Sequence, residues 1–425
     1  MTSLIAIIFV LGYLAIAFES TLRINKAASA LLTGVLCWTV YALAGGEKEL
    51  VSENLSHHLS EIAAILFFLL GAMVIVELID AHDGFEIITE RIQNSNKKNL
   101  VWIIGFIAFF LSAVLDNLTT TIVMVSLLRK LIPSHKDRLL FAGLVVIAAN
   151  AGGTWSPIGD VTTTMLWIGK QVTTVNIIIK TFLASLTCFI VPAFLIGWQM
   201  KGKVEQVESK KEKLHSSGFE RKAVFIVGLG SLLVVPVFKT ITHLPPYMGI
   251  IFGLGLMWVV TEMIHSGKDE GEKGLLSVNH ALRKIDTPSI LFFLGILLAV
   301  SALQSTGILT SIASLLDKSI GNISIITLII GLLSAIVDNV PLVAAAQGMY
   351  SLQQYPTDHF FWEFLAYCAG TGGSILIIGS AAGVAAMGME RIQFGWYLKK
   401  IAWLALLGYL SGAAMFLLQH YLLHL

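Results

Sequence analysis

The stretch L-S-A-V-L-D-N-L-T-T-T, Leu111–Thr121, follows an apolar run that begins at Leu100, and it places an aspartate where hydrocarbon or protein core belongs. An ionised carboxylate in an apolar layer costs at least about 2.5–3.5 kcal/mol, so Asp116 has to face protein, water or a cation. The surrounding chain shows that the layer is a membrane. Of 425 residues, 56% are hydrophobic and 13% are charged, and the mean hydropathy is +0.81. Such proportions exclude a water-soluble globule and give no basic surface for nucleic acid. Apolar stretches of about 16 to 25 residues recur from end to end, each near the length that crosses a hydrocarbon layer. The chain is predicted to be an all-α polytopic membrane protein.

Crossing helices are predicted at 3–18, 27–44, 62–79, 139–168, 175–199, 222–238, 247–264, 289–306, 361–389 and 396–419. The first has no basic residue before it and no small-residue cleavage site after it, so it is expected to be a retained span. Two more apolar stretches, 100–132 and 323–350, carry Asp116-Asn117 and Asp338-Asn339 near their middles. A helix broken there can enter and leave by one face as a re-entrant hairpin, provided the break lies against protein or a water-filled cavity. The charges favour this reading. With two hairpins, the loops 19–26, 80–99, 129–138, 200–222, 265–288 and 390–400 share one side and hold 23 of the 28 Lys and Arg. That is the bias expected of cytoplasmic loops, and it leaves both termini on the opposite side.

The order of these segments repeats. I-L-F-F-L-L-G from Ile65 returns as I-L-F-F-L-G-I from Ile290, S-A-V-L-D-N from Ser112 as S-A-I-V-D-N from Ser334, and A-G-G-T-W-S-P-I-G from Ala151 as T-G-G-S-I-L-I-I-G from Thr371. The expected organisation is a first repeat over 1–200, a cytoplasmic linker over 201–221 and a second repeat over 222–425. Each repeat has five crossings and one hairpin. Five is odd, so the repeats are expected to be inverted, as in many secondary transporters. Segments 83–95 and 308–320 follow the third crossing of each repeat and are predicted to be amphipathic connecting helices.

The polar residues gather at the helix breaks. Ser112, Asn117, Thr119, Thr120 and Thr121 surround Asp116; Ser334 and Asn339 surround Asp338, with Pro341 enforcing the break. In N-A-G-G-T-W-S-P-I-G-D-V-T-T-T, Asn150–Thr164, the glycines and Pro157 cannot sustain a helix, and Asn150, Thr154, Ser156, Asp160, Thr162 and Thr163 lie beside the unwinding. The matching G-T-G-G-S-I-L-I-I-G-S, Gly370–Ser380, keeps Thr371 and Ser374 but has Ser380 where the first repeat has Asp160. Oxygen ligands of this kind suit hard cations. The principal site is therefore expected in the first half, with sodium at Asp116, Asn117 and Asp160. The plainer alternative for Asp116, Asp160 and Asp338 is helix capping. His82, with Asp83 and Glu86, is a conceivable cytoplasmic pH sensor because histidine titrates near neutrality. Glu77 belongs to the same candidate region, and a solvated loop is the alternative.

These motifs, with L-I-D-A-H-D-G-F-E-I-I from Leu78, resemble the NhaD-type sodium/proton antiporters of the ion transporter superfamily, over about Ile24 to Tyr397. The resemblance implies a homodimer of inverted repeats in which a transport domain moves against a scaffold in an elevator-like way. It also implies that Ser112, Asp116, Asn117, Asn150, Asp160, Thr162 and Thr163 handle sodium or protons, joined by Ser334, Asn339 and Ser374 from the second half. The residues independently suggest an exchanger: burial favours the proton-bound carboxyl and a bound cation favours the ionised one, so each ligand expels the other. Expected cargo is cytoplasmic sodium, or lithium, against external protons, with no cofactor, in a bacterial inner membrane. The rival is an anion or organic-acid carrier of the dicarboxylate or arsenite type. An intramembrane protease is not expected, because Asp160 follows Pro157-Ile158-Gly159 and there is no His-Glu-x-x-His pair.

Overall fold

The computed structural model describes residues 2–17, 19–43, 48–89, 96–200, 202–204, 217–266, 274, 276–336 and 338–422. These residues form helices joined by short turns: α1 (Thr2–Ala17), α2 (Glu19–Leu22), α3 (Lys26–Leu43), α4 (Lys48–Ala81), α5 (Glu86–Thr89), α6 (Lys97–Leu115), α7 (Asn117–Leu131), α8 (His135–Gly153), α9 (Val161–Ile168), α10 (Thr174–Gln199), α11 (Gly218–Thr242), α12 (Pro246–Ile264), α13 (Val278–Lys284), α14 (Thr287–Ser305), α15 (Ile308–Ser319), α16 (Ile323–Leu333), α17 (Asn339–Met349), α18 (Phe360–Gly372), α19 (Ala381–Glu390), α20 (Phe394–Lys400) and α21 (Ala402–Leu422). Among the described residues, eight helices are long and apolar enough to cross a membrane: α3, α4, α6, α10, α11, α12, α14 and α21. The chain is a polytopic integral membrane protein. Most of the expected linker, 201–221, and the end of segment 83–95 lie outside the described residues.

Two predicted crossings are divided, into α8 and α9 and into α18 and α19, at the Gly-rich motifs. The helix around 62–79 begins earlier than predicted, at Lys48, because its first fourteen residues are helix-compatible although polar. By length α6 alone could span the layer, yet its start lies beside the end of α7. Lys97 Nζ, in the first turn of α6, is 2.7 Å from Asp137 Oδ2 at the start of α8. The second stretch shows the same closure: the Tyr350 hydroxyl, just past α17, donates to Asp317 Oδ1, just before α16, at 3.1 Å.

The two broken helices run antiparallel. Arg138 near the start of α8 pairs with Glu390 at the end of α19, Nε to Oε2 at 2.8 Å. At the opposite end, the Asp358 amide before α18 donates to the Gln171 carbonyl past α9 at 2.8 Å. Each hairpin is tied to the broken helix that follows it by one serine: Ser112 Oγ donates to the Ala149 carbonyl at 2.6 Å and Ser334 Oγ to the Ala369 carbonyl at 2.7 Å.

Away from the breaks, helices of the two sequence halves interleave. Gly34 of α3 packs on Gly295 of α14, where an added Cβ would lie 2.6 Å from the Gly295 carbonyl oxygen, and four residues on Trp38 Nε1 donates to the Leu298 carbonyl at 2.9 Å. The contacts advance together, so α3 and α14 are parallel. The same holds for α4 and α12, where Gly71 meets Ile250 and Ile75 meets Gly253. Small residues let these backbones approach closely, which is how membrane helices associate without a hydrophobic driving force.

Candidate ion site

The site is assembled where the breaks of both halves converge. Asp116 is the sole residue between α6 and α7 and has φ 93° and ψ 160°, a conformation an L-residue holds only under constraint. It turns the carboxylate over the start of α7, where Oδ1 accepts the Thr119 amide and Oδ2 the Thr119 hydroxyl, both at 2.8 Å. Asp160 is 1% exposed and caps α9, its Oδ1 accepting the Thr162 amide at 3.3 Å. The expected caps thus form at Asp116 and Asp160. Asp338 makes no side-chain cap on α17 and faces Lys26, 3.9 Å from Nζ to Oδ2.

The two halves meet through the broken helices. Asn117 donates to Asn150 Oδ1 at 2.9 Å, and Asn150 Nδ2 donates to Ser374 Oγ at 2.8 Å and Ser380 Oγ at 2.9 Å. From the other half, Asn339 Nδ2 reaches Asp160 Oδ2 at 3.4 Å. Asp116 and Asp338 are both near enough to act on Asp160 electrostatically. Three carboxylates, with Asp160 buried and Asp116 and Asp338 half-buried, therefore converge among neutral amides and hydroxyls with the Lys26 ammonium beside Asp338, and the net negative balance favours cations and protons over anions.

The expected hydroxyl ligands divide into two groups. Thr163 is buried and its hydroxyl has no hydrogen-bond partner among the described residues, as is true of Thr120 and Thr121. The Thr371 hydroxyl is spent on the Tyr367 carbonyl of its own helix at 2.6 Å, and the Thr154 hydroxyl on the Ala151 carbonyl and Ser185. Gly370 opens the second Gly-rich motif, and its lack of a side chain makes room for the site: a Cβ there would lie 2.2 Å from Thr154 Cγ2 and 2.9 Å from Asp160 Oδ2. Sequence reasoning missed Tyr397, whose hydroxyl donates to the Ser374 carbonyl at 2.7 Å. No local pattern marks Tyr397, because its partner belongs to another segment.

A family model described as "Citrate transporter" matches residues 5–370. The chain is 50% identical to Sodium/proton antiporter 1 of Arabidopsis thaliana, covering 98% of this chain and 72% of the relative, and 48% identical to Sodium/proton antiporter 2 of the same plant, covering 98% and 99%. It is 29% identical to the Na(+)/H(+) antiporter NhaD of Vibrio cholerae, over 98% of this chain and 91% of the relative. The chain belongs to the NhaD-type sodium/proton antiporters. It is a transporter and not an enzyme.

In this NhaD-type chain a cavity of about 450 Å³ leads toward the first hairpin tip. Glu19, Glu77, Lys284 and Asp286 line it with Leu118 and Thr119, next to Asp116. On the other flank of Asp116 lies a void of about 20 Å³ lined by Thr164 and otherwise by apolar side chains that include Phe68, Leu232 and Ile250. Glu77 pairs with Lys284 at 3.3 Å. His82 does not sit in a solvated loop: it is buried, with Nδ1 2.7 Å from the Leu78 carbonyl and Nε2 2.8 Å from Nε2 of His265.

Proposed function

We propose that the protein exchanges cytoplasmic sodium for external protons, with Asp116 and Asp160 as the exchanging carboxylates. The observation that carries this reading is Asp160: fully enclosed at a helix break, it meets neutral amide donors and, among the described residues, no protein cation. A bare buried charge is costly, and a proton or a sodium ion removes the cost in mutually exclusive ways. Asn117, Asn150, Ser374, Thr162 and Thr163 complete an oxygen shell around sodium. Lithium, with the same preference for oxygen, is the expected alternative cargo.

Glu19, Lys26, Asp80 and Lys284 of the cavity wall belong to the stretches 19–26, 80–99 and 265–288 that are rich in basic residues, which supports a reading in which the site is open to the cytoplasm and both termini lie outside. The closed ends of both hairpin stretches and the antiparallel broken helices support inverted repeats. The interleaved α3, α4, α12 and α14 would form the fixed body of a homodimer, and the hairpins with α8, α9, α18 and α19 the moving body of an elevator. A bacterial inner membrane is the location we propose, in keeping with the bacterial source of the NhaD relative; the relatives at 48% and 50% identity come from a plant.

The family model's description favours a citrate-type anion as the second reading, but three clustered carboxylates repel such an anion. Inside-out vesicles separate the two. Sodium or lithium chloride is expected to release protons, potassium chloride and citrate are not, and D116N and D160N are expected to abolish the release. Full sodium response in both variants overturns the assignment of the exchanging pair.

A further inference from the structure

The three intramembrane aspartates are not equally supplied with protein cations. Asp160 meets neutral amides, and Asp116 meets Thr119 on one flank and mainly apolar side chains on the other. Asp338 faces Lys26. The lysine is held for that contact: it is the first residue of α3, its amide donates to Glu19 Oε1 at 3.0 Å, and its Nζ lies 4.6 Å from the centroid of the Phe292 ring. Phe292 belongs to α14, the parallel partner of α3, so Lys26 projects from the interleaved body toward the tip of a hairpin. Tyr13 of α1 reaches the Asp338 backbone from the same side. Trp38 and Trp258 are matched by the internal repeat 220 positions apart, and at that spacing the counterpart of Lys26 is Pro246. The first hairpin therefore receives no cation by the equivalent route.

We propose that Lys26 is the resident counter-cation of Asp338, a tethered ammonium in the place that sodium takes at the other carboxylates. It removes one of three negative charges from the cluster without being transported, leaving Asp116 and Asp160 to exchange. This inference rests on the antiport reading and deepens it. Lys26 is a positioning residue: it acts on sodium through Asp338 and through the net charge beside Asp160. Because it sits at the wall of the cavity and bridges the two bodies, the pair has to part when the hairpin moves.

The test is a charge-balance cycle on the full chain in proteoliposomes, reading the sodium half-saturation of proton release and the sodium-induced rise in thermal midpoint. K26M leaves Asp338 unneutralised and is expected to tighten sodium binding about tenfold; D338N leaves a spare ammonium and is expected to weaken it about tenfold. K26M/D338N is expected to return toward the wild-type value, and K26R to keep it. Opposite shifts that cancel are not produced by lost packing. Single variants that shift the same way, a double variant as impaired as the worse single, or no shift in any of them overturns the proposal. Failure of the antiport reading looks different: the wild-type protein then releases no protons on sodium addition, and the thermal shift still reports whether the two charges compensate.

Discussion

Gly370→Ala probes how closely the two halves enclose Asp160. The added Cβ would lie 2.2 Å from Thr154 Cγ2, where ordinary contact begins at 3.4 Å, an overlap of about 1.2 Å, and 2.9 Å from Asp160 Oδ2. Thr154 cannot simply swing away, because its hydroxyl is held by the Ala151 carbonyl at 2.9 Å and by Ser185 at 2.7 Å. Either α18 withdraws or the Asp160 carboxylate is displaced from Asn339. Overpacking of this kind costs about 1–3 kcal/mol. Where that cost falls on the sodium-loaded site, half-saturation rises by about 5- to 150-fold, since 1.4 kcal/mol is tenfold. The assay is sodium-driven proton release in proteoliposomes alongside the thermal midpoint, with Gly388→Ala as the control because nothing lies within 4 Å of its Cβ position. Wild-type half-saturation in G370A would refute the enclosure argument. Equal loss in G388A would show that the effect is not local.

Two further outcomes are expected. T163V removes a buried hydroxyl that has no protein partner and should raise sodium half-saturation severalfold, whereas T371V removes one already spent on Tyr367 and should leave it near wild type; the reverse order would reassign the oxygen shell. At the end of α19, Glu390 is 1% exposed in its side chain and is bonded by Arg129 and Arg138 at 2.7 and 2.8 Å. Burial pushes this carboxyl up, but the Arg138 and Arg129 guanidiniums together outweigh it and hold it below its usual 4.5. A depressed folded-state value stabilises the fold fully above about pH 4.5 and ceases to do so as pH falls through that lower value. E390Q should therefore melt earlier than wild type at pH 7, by about 3 kcal/mol, with the gap closing in acid; a gap that stays constant down to pH 3 would remove the ion pairs as its cause.

Much of the architecture was legible because its signals are local. The aspartates at Asp116 and Asp338 and the glycines at 152 and 153 mark the breaks without knowledge of any partner. Helix caps were legible for the same reason at Asp116 and Asp160. What escaped the sequence is what passes between the halves. Asn339 to Asp160, Asn150 to Ser380 and Lys26 to Asp338 join residues separated by 179, 230 and 312 positions. No periodicity within a helix encodes which break meets which. Asp338 illustrates the cost: its local pattern suggests a cap like Asp116, yet a lysine far along the chain takes its carboxylate. The burial of His82 is hidden from the sequence for the same reason, since its neighbour His265 lies 183 positions on.

The parallel pairing of α3 with α14 bears on how the chain is made. The glycine and alanine face of α3 around Ala30 and Gly34 accepts the backbone of Gly295, which is synthesised some 260 residues later. During synthesis that face has to be held by lipid or by an assembly factor, and α4 likewise waits for α12. A fragment ending near residue 200 would insert its helices but lack the mates of two of them. Co-expression of the two fragments as separate chains should therefore recover the protein, whereas either fragment alone should be cleared by membrane quality control.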